Sequence, residues 1–202
     1  MRNILIIFLF ISSLCKAQSG FIVVEAESFS KQTKTTEKSW VVVSEGERAG
    51  QAYGAEFIQI LPDMRVTHSD PLMPGENFSN VPGEVIIVHY NVDFPSAGRY
   101  YVWVRCFSTG TEDNGVHVGF DGIWPESGAR MQWCEGKNKW TWDTRQRTEE
   151  VHCGVFGQIW LDIPSAGVHD IQFSMREDGF AMDRFVLSKE LNVSDKLNNN
   201  NN

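Results

Sequence analysis

The chain has 202 residues, a formal charge of −8 at neutral pH, and 12% aromatic residues that include seven tryptophans. An acidic surface excludes a general binder of nucleic-acid phosphates, which needs a basic one. The length and a hydrophobic share of 42% fit one domain with a well-filled core.

Residues 1–17 read as an export leader: Arg2, the apolar run ILIIFLFISSL, then small residues ahead of a cut after Ala17. The run is shorter than the roughly 20 residues a membrane span needs. Leu14 before Cys15 is bulkier than a lipid-anchor signal usually allows, so cleavage after Ala17 is preferred over lipidation. Cleavage removes Arg2 and Lys16 and no acid, which moves the formal charge from −8 to −10. It leaves Cys106, Cys134 and Cys153, an odd number that permits one internal bridge. Cys134 and Cys153 flank a tryptophan-rich stretch and are the expected pair in an oxidising compartment. Closing that loop contributes roughly 3 kcal/mol on the loop-entropy model. Cys106 alternates with Val102 and Val104 and reads as a buried thiol.

Beyond the leader the hydrophobic period is two nearly everywhere. FIVVEAESF and AEFIQIL open a series of about nine strand-like runs. In VIIVHYNVDF, Ile86, Val88, Tyr90, Val92 and Phe94 share one face, while His89, Asn91 and Asp93 take the other. RYYVWVRCF is apolar or aromatic on both faces, as a central strand is, and VHVGF and FGQIWLDI follow. VHDIQFSM aligns Ile171, Phe173 and Met175, and AMDRFVLS aligns Phe185 and Leu187. A small repeat, Pro95-Ser96-Ala97-Gly98 and Pro164-Ser165-Ala166-Gly167, marks two strand reversals. The fold class is therefore all-β: an antiparallel two-sheet β-sandwich over residues 18–190. Residues 61–83 carry Pro and Gly but no period, and a loop that long in a compact domain is usually functional or disordered; its Met and Phe residues favour an ordered one. Residues 191–202 are polar and asparagine-rich and read as a disordered tail.

Glu25 and Glu27 lie two apart, so on a strand both carboxylates leave one face roughly 7 Å apart. Like charges there repel unless a cation or an arginine stands between them. VVEAESF, PSAGRYYVWVR, PSAGVHDIQFS and EDGFAMDRFVL resemble, in order, the landmarks of carbohydrate-binding modules of families six and thirty-five, galactose-binding-domain-like jelly-roll sandwiches. The likeness spans about residues 21–189. It implies a structural calcium held by Glu25, Glu27 and Asp183, stapling the first strand to the last. Oxygen donors of this kind suit calcium. STGTEDNGVHVGFDGIWPESGARMQWCEGKNKWTW resembles a narrower set, which includes the C-terminal domain of family 115 glycoside hydrolases and related modules of enzymes acting on plant and marine algal polysaccharides. One departure stands out. Phe180–Met182 occupy the region where many family-six modules carry a sugar-contacting Asn, so that contact does not carry over.

In RMQWCEGKNKWTWDTRQR, Arg130, Lys137, Lys139, Arg145 and Arg147 face only Glu135 and Asp143. If residues 139–144 are extended, Trp140 and Trp142 share a face while Asp143 and Arg145 point away. Flat indoles rimmed by polar groups are what a sugar's apolar C–H face needs. For any single tryptophan, core packing is the stronger expectation; among Trp133, Trp140 and Trp142 at least one exposed ring is expected. The local excess of basic residues points to an anionic ligand, with a merely solvated hairpin as the equal alternative. Glu112-Asp113-Asn114-Gly115 reads first as turn chemistry, with Asp113 and Asn114 as possible acceptors for sugar hydroxyls. In the long loop, Arg65, His68 and Asp70 are further contact candidates, His68 the weakest.

These features together point to a non-catalytic module of an exported bacterial protein, secreted, periplasmic or on the cell surface. It would bind an extracellular plant or algal polysaccharide beside carbohydrate-active enzymes. Trp133, Trp140 and Trp142 would stack, and Arg145, Arg147, Asp113, Asn114 and Arg65 would supply polar contacts. Two alternatives stay open. A small secreted lyase or glycosidase would need a carboxylate pair or a Tyr or His base. An adhesion module would expose an apolar patch to a protein partner.

Overall fold

The computed structural model describes residues 21–199; the leader expected over residues 1–17 lies outside the described residues. In chain order, β1 (Phe21–Glu25), β2 (Lys31–Gln32), β3 (Ser39–Val43) and β4 (Phe57–Leu61) precede the long loop. Then come β5 (Ile87–Phe94), β6 (Gly98–Phe107), β7 (Gly115–Phe120), β8 (Met131–Gln132) and β9 (Trp140–Asp143). The last strands are β10 (Arg145–Gln146), β11 (Val155–Phe156), β12 (Trp160–Ile163), β13 (Gly167–Met175) and β14 (Ala181–Ser188). Two short helices, α1 (Glu47–Gly50) and α2 (Ser194–Asn199), complete the regular structure.

The strands form two antiparallel sheets, the two-sheet β-sandwich that the period-two pattern specifies. In the first sheet β6 lies against β14; β12 and then β9 share the far edge of β6, and β1 and β4 share the far edge of β14. The second sheet runs β11-β10-β8-β7-β13-β5-β2. Alternation decides what is inside. Val88, Tyr90, Val92 and Phe94 from β5 meet Ile171 and Phe173 from β13 and Phe185 and Leu187 from β14, all buried. Tyr90 and Phe173 pack edge-on against Phe185 at 4.9 and 5.0 Å. The Tyr90 hydroxyl donates to the Ala26 carbonyl at 2.7 Å, so its one polar atom is satisfied inside the core. Cys106 is a buried free thiol, its pKa pushed well up by burial.

Four local expectations need correction. Ser39–Val43, absent from the strand-like runs, is a full partner of β4. FGQIWLDI is not one strand but β11 and β12, with Gly157 at positive φ between them. Glu25 and Glu27 do not alternate along a strand, because β1 ends at Glu25 and residues Ala26–Ser28 turn as a 3-10 helix. The tail is not structureless over its first part: Val193 and Leu197 are buried against Phe21, Trp103 and Val186 on the outside of the first sheet. Two apolar residues four apart sufficed to dock a short helix there. The long loop is ordered, bridging Phe78 to Glu177 and running across the outer face of the second sheet. Among the described residues, no helix is long and apolar enough to cross a membrane.

Candidate functional site

The tryptophan hairpin divides between two environments. Trp133 is 1% exposed and packs on Phe180 with ring centroids 5.2 Å apart. It belongs to the core, and its expected stacking role is overturned. Its carbonyl accepts from Asn114 Nδ2 at 2.7 Å, and Asn114 is itself buried. Asp113 is occupied too: it accepts from Ser108 Oγ, Thr109 N, Thr109 Oγ1 and Gly110 N at 2.7 to 3.0 Å. The polar pair proposed to meet sugar hydroxyls thus closes the 108–114 turn instead. Arg65 is buried against Glu112 in an ion pair and is likewise structural. Exposed His68 lies 3.3 Å from Glu112 Oε1, and Asp70 accepts from Val66 N and Thr67 N within its own turn.

Trp140 and Trp142 behave differently. Strand β9 pairs with β6 so that Trp140 lies opposite Phe107 and Trp142 opposite Arg105. Val104 and Cys106 fill the core, so both half-buried indoles stand on the outer face, the shared face that extended geometry predicts. Trp140 reaches the loop end of the sandwich. It packs on Phe57 and Phe107 at 5.2 and 5.5 Å, and its Nε1 donates to the Arg48 carbonyl at 3.0 Å. Trp142 lies lower, in a shallow pocket with Phe21, Val23, Arg184, Val186 and Leu197. Arg145 sits over Phe156 and donates to Asp143 Oδ2 at 2.8 Å. Arg147 directly follows Arg145 and Gln146 of β10 in the second sheet.

Asp63, which the sequence did not single out, completes the loop end. Arg48 Nη2 donates to Gln59 Oε1 at 3.2 Å and Gln59 Nε2 to the Gly179 carbonyl at 3.0 Å, a short relay from Trp140 to the Asp178-Gly179 turn. Gly179 has φ 73°, and a Cβ there would lie 2.6 Å from the Asp63 carboxylate, so only glycine lets that carboxylate in. Asp63 Oδ1 is buried without a partner. Burial, then the neighbouring Asp178 and Asp113, push its pKa up to about 6. Asp178 itself is satisfied by Lys38 Nζ at 2.8 Å and Met64 N at 2.9 Å. Lys137 donates to Ser108 Oγ and to the Gly110 and Trp133 carbonyls, so it clamps the turn to the hairpin. The available groups are therefore the Trp140 indole and the Arg48 guanidinium, while the unpartnered oxygen of Asp63 is sealed from solvent.

A second cluster lies behind α1. Asp183 falls where the β14–β6 register shifts, a bulge that re-aims its side chain. It accepts from Tyr53 N at 3.1 Å and is ion-paired with Arg105. Glu25 is held by both Arg184 Nε and Nη2, at 3.0 and 2.5 Å. Glu27 Oε2 is buried with no partner. Burial first, then Glu25, Asp183 and Glu56, raise the Glu27 pKa to about 7; burial raises Asp183 to about 6. Four carboxylates thus share one neighbourhood with two guanidiniums, and the acidic surplus and the orphaned oxygen fit a hard cation. They are not gathered as a finished cage: among the described residues, no three Asp, Glu, His or Cys side chains converge on a metal position. The disulfide joins Cys134 to Cys153 with a Cα separation of 5.3 Å, the pair expected from the sequence.

An antiparallel two-sheet β-sandwich with an aromatic, charged loop end is the class these features define. Residues 17–194 match the model of the glycosyl hydrolase family 115 C-terminal domain, and the chain belongs to that family. Uncharacterized protein P23 of Formosa agariphila is 53% identical over 186 residues, covering 87% of this chain; the chain spans 45% of that relative's length. Among solved structures, a family 35 carbohydrate binding module from Clostridium thermocellum aligns over 84% of this chain and 98% of its own, with 14% identity and a TM-score of 0.49. The C-terminal family six module of a marine laminarinase from Zobellia galactanivorans aligns over 84% and 99%, with 16% identity and a TM-score of 0.41.

Proposed function

We propose that the chain is a non-catalytic module of an exported protein that binds an extracellular polysaccharide at its loop end. The supporting observation is Trp140, a half-buried indole on the outer face whose N–H is spent on the Arg48 carbonyl. The apolar face of a sugar ring would rest on the indole, and Arg48 would donate to a ring or hydroxyl oxygen. Membership of a domain family named from glycosyl hydrolases agrees with a role beside carbohydrate-active enzymes. Binding without bond cleavage is favoured because the acids Glu112 and Asp178 at this end are already committed to Arg65 and Lys38. Incubation with plant and algal polysaccharides tests it, since reducing ends or unsaturated products would replace binding with hydrolysis or lysis. Affinity electrophoresis in a neutral polysaccharide tests the platform: Trp140→Ala is expected to weaken the interaction seen for the unmodified protein at least ten-fold, and unchanged retardation would exclude that ring.

Calcium belongs to the same proposal in a structural role. Glu27, Asp183 and Glu25 would hold it, and it would supply positive charge to an acidic neighbourhood that two arginines only partly neutralise. Tyr53 and α1 belong to one segment, so a cation there would also steady Arg48 and, through its carbonyl, Trp140.

A further inference from the structure

Resting on the polysaccharide-binding reading, we propose that the outer side of the second sheet carries a separate site for an anionic group on a polysaccharide, a sulfate ester or a carboxylate, gripped by Arg147 and Arg130. The site shares no residue with the loop end.

Strand register assembles it. In β7, Val116, Val118 and Phe120 are core, so Gly115, His117 and Gly119 face outward. Met131 of β8 is core and pairs with buried Gln146 of β10, which leaves Arg130 and Arg147 on the outer side. Arg176, just past β13, alternates with core Met175 and joins them. Three guanidiniums therefore meet on one face of an acidic protein.

Arg130 and Arg176 have acidic partners, and Arg147 does not. Arg176 is buried beneath the Phe78 ring at 5.1 Å and donates Nη1 to Gln132 Oε1 at 3.0 Å and Glu177 Oε1 at 2.5 Å; its Nε is buried without a partner. Burial holds its pKa below the ordinary guanidinium range, and the nearby charges of Arg147 and Arg130 push the same way. Arg130 is paired with Glu126, whose side chain is 75% exposed. No carboxylate or other acceptor among the described residues meets the Arg147 guanidinium. An anion arriving there would relieve repulsion already present, and a planar fork suits sulfate and carboxylate oxygens alike.

The scaffold is fixed in advance. Arg147 N donates to the Arg130 carbonyl at 2.8 Å, and Arg130 Nε donates back to the Arg147 carbonyl at 3.2 Å. Arg130 N donates to His117 Nδ1 at 2.9 Å, and His117 Nε2 then donates to the Ser79 carbonyl at 3.1 Å. Both arginine backbones are locked before any ligand arrives, which lowers the ordering cost of binding. Half-buried Trp124 packs against both the Gly119 and Gly83 backbones, where a Cβ would come within 2.7 and 2.3 Å of its ring, so it ties the long loop to the sheet.

Affinity electrophoresis in a sulfated galactan, in the same galactan chemically desulfated, and in polygalacturonate tests the site. The unmodified protein is expected to be retarded more by an anionic matrix than by the desulfated one. Arg147→Gln should weaken the anionic interaction at least ten-fold while leaving the desulfated gel and the melting temperature unchanged. Loss confined to the sulfated galactan identifies a sulfate ester, and loss confined to polygalacturonate identifies a carboxylate. Arg147→Lys, which keeps the charge without the fork, should fall between. Equal retardation of the unmodified protein and Arg147→Gln in both anionic gels overturns the proposal. Trp140→Ala should keep the anionic increment, so failure of this site and failure of the loop-end site are told apart.

Discussion

Two ends of one tryptophan-rich stretch meet opposite fates. Trp133, on the β8 arm, is sealed between Phe180 and the Asn114 turn; Trp140, seven residues on, stands half-open on the outer face of the other sheet. What differs is the sheet each arm joins, and so which way its side chains face. An indole is a core residue when its strand turns it inward and a candidate platform when its strand turns it outward.

The sharpest way to break that contrast is to truncate both rings. We predict that Trp133→Ala destabilises the domain by about 3–5 kcal/mol, as removal of large buried rings does, with no specific effect on sugar affinity beyond unfolding. Urea denaturation measures it, and a loss below about 1 kcal/mol would place Trp133 outside the core. The disulfide tying the arms comes next: Cys134→Ser with Cys153→Ser should cost about 3 kcal/mol for a bridge of sequence separation 19. Chelation should then lower the melting temperature by several degrees if calcium staples the Glu27–Asp183 region, since a saturating ligand contributes about 2–3 kcal/mol. An unchanged melting curve would dispose of the cation. Trp140→Ala should leave the melting temperature within a few degrees and weaken polysaccharide binding at least ten-fold, about 1.4 kcal/mol, read by titration calorimetry.

The β8 arm should also be the acid-sensitive one. Its first residue, Arg130, donates its N–H to His117, whose pKa burial depresses to about 3 from 6.5. Between those values the unfolded chain binds the extra proton, so the stability contributed by neutral His117 is complete above about pH 6.5 and is lost as pH falls toward 3. Asp63 works in the opposite sense, its raised pKa favouring the folded state as acid is added. The difference between the unmodified protein and His117→Gln, followed by denaturation from pH 7 to pH 4, isolates the histidine. A pH-independent difference would exclude it as the titrating group.

Much of the fold was legible because burial on one face of a strand writes itself into alternate residues. The runs containing Tyr90, Phe173 and Phe185 were read correctly for that reason. The bridge between Cys134 and Cys153 was legible from their position around the hairpin. Trp140 and Trp142 were placed on one face by the same alternation. Asp63 and Arg48 were not found, because neither belongs to a pattern: a turn and a four-residue helix bring them into place. Asp113 and Arg65 were misread for the converse reason. Their residue types suit a sugar site, but Asp113 is taken up by Ser108, Thr109 and Gly110, and Arg65 is buried in an ion pair with Glu112.

By itself the sequence determined that this chain builds strands, that they pair antiparallel, and which side chains make the core, because period-two burial is a local property of the backbone. Only the tertiary structure decided which indole meets water, which carboxylate keeps an unpartnered oxygen, and which arginine is left without an acid. Those outcomes depend on the partner each group finds across the sandwich, and spacing along the chain carries no record of that.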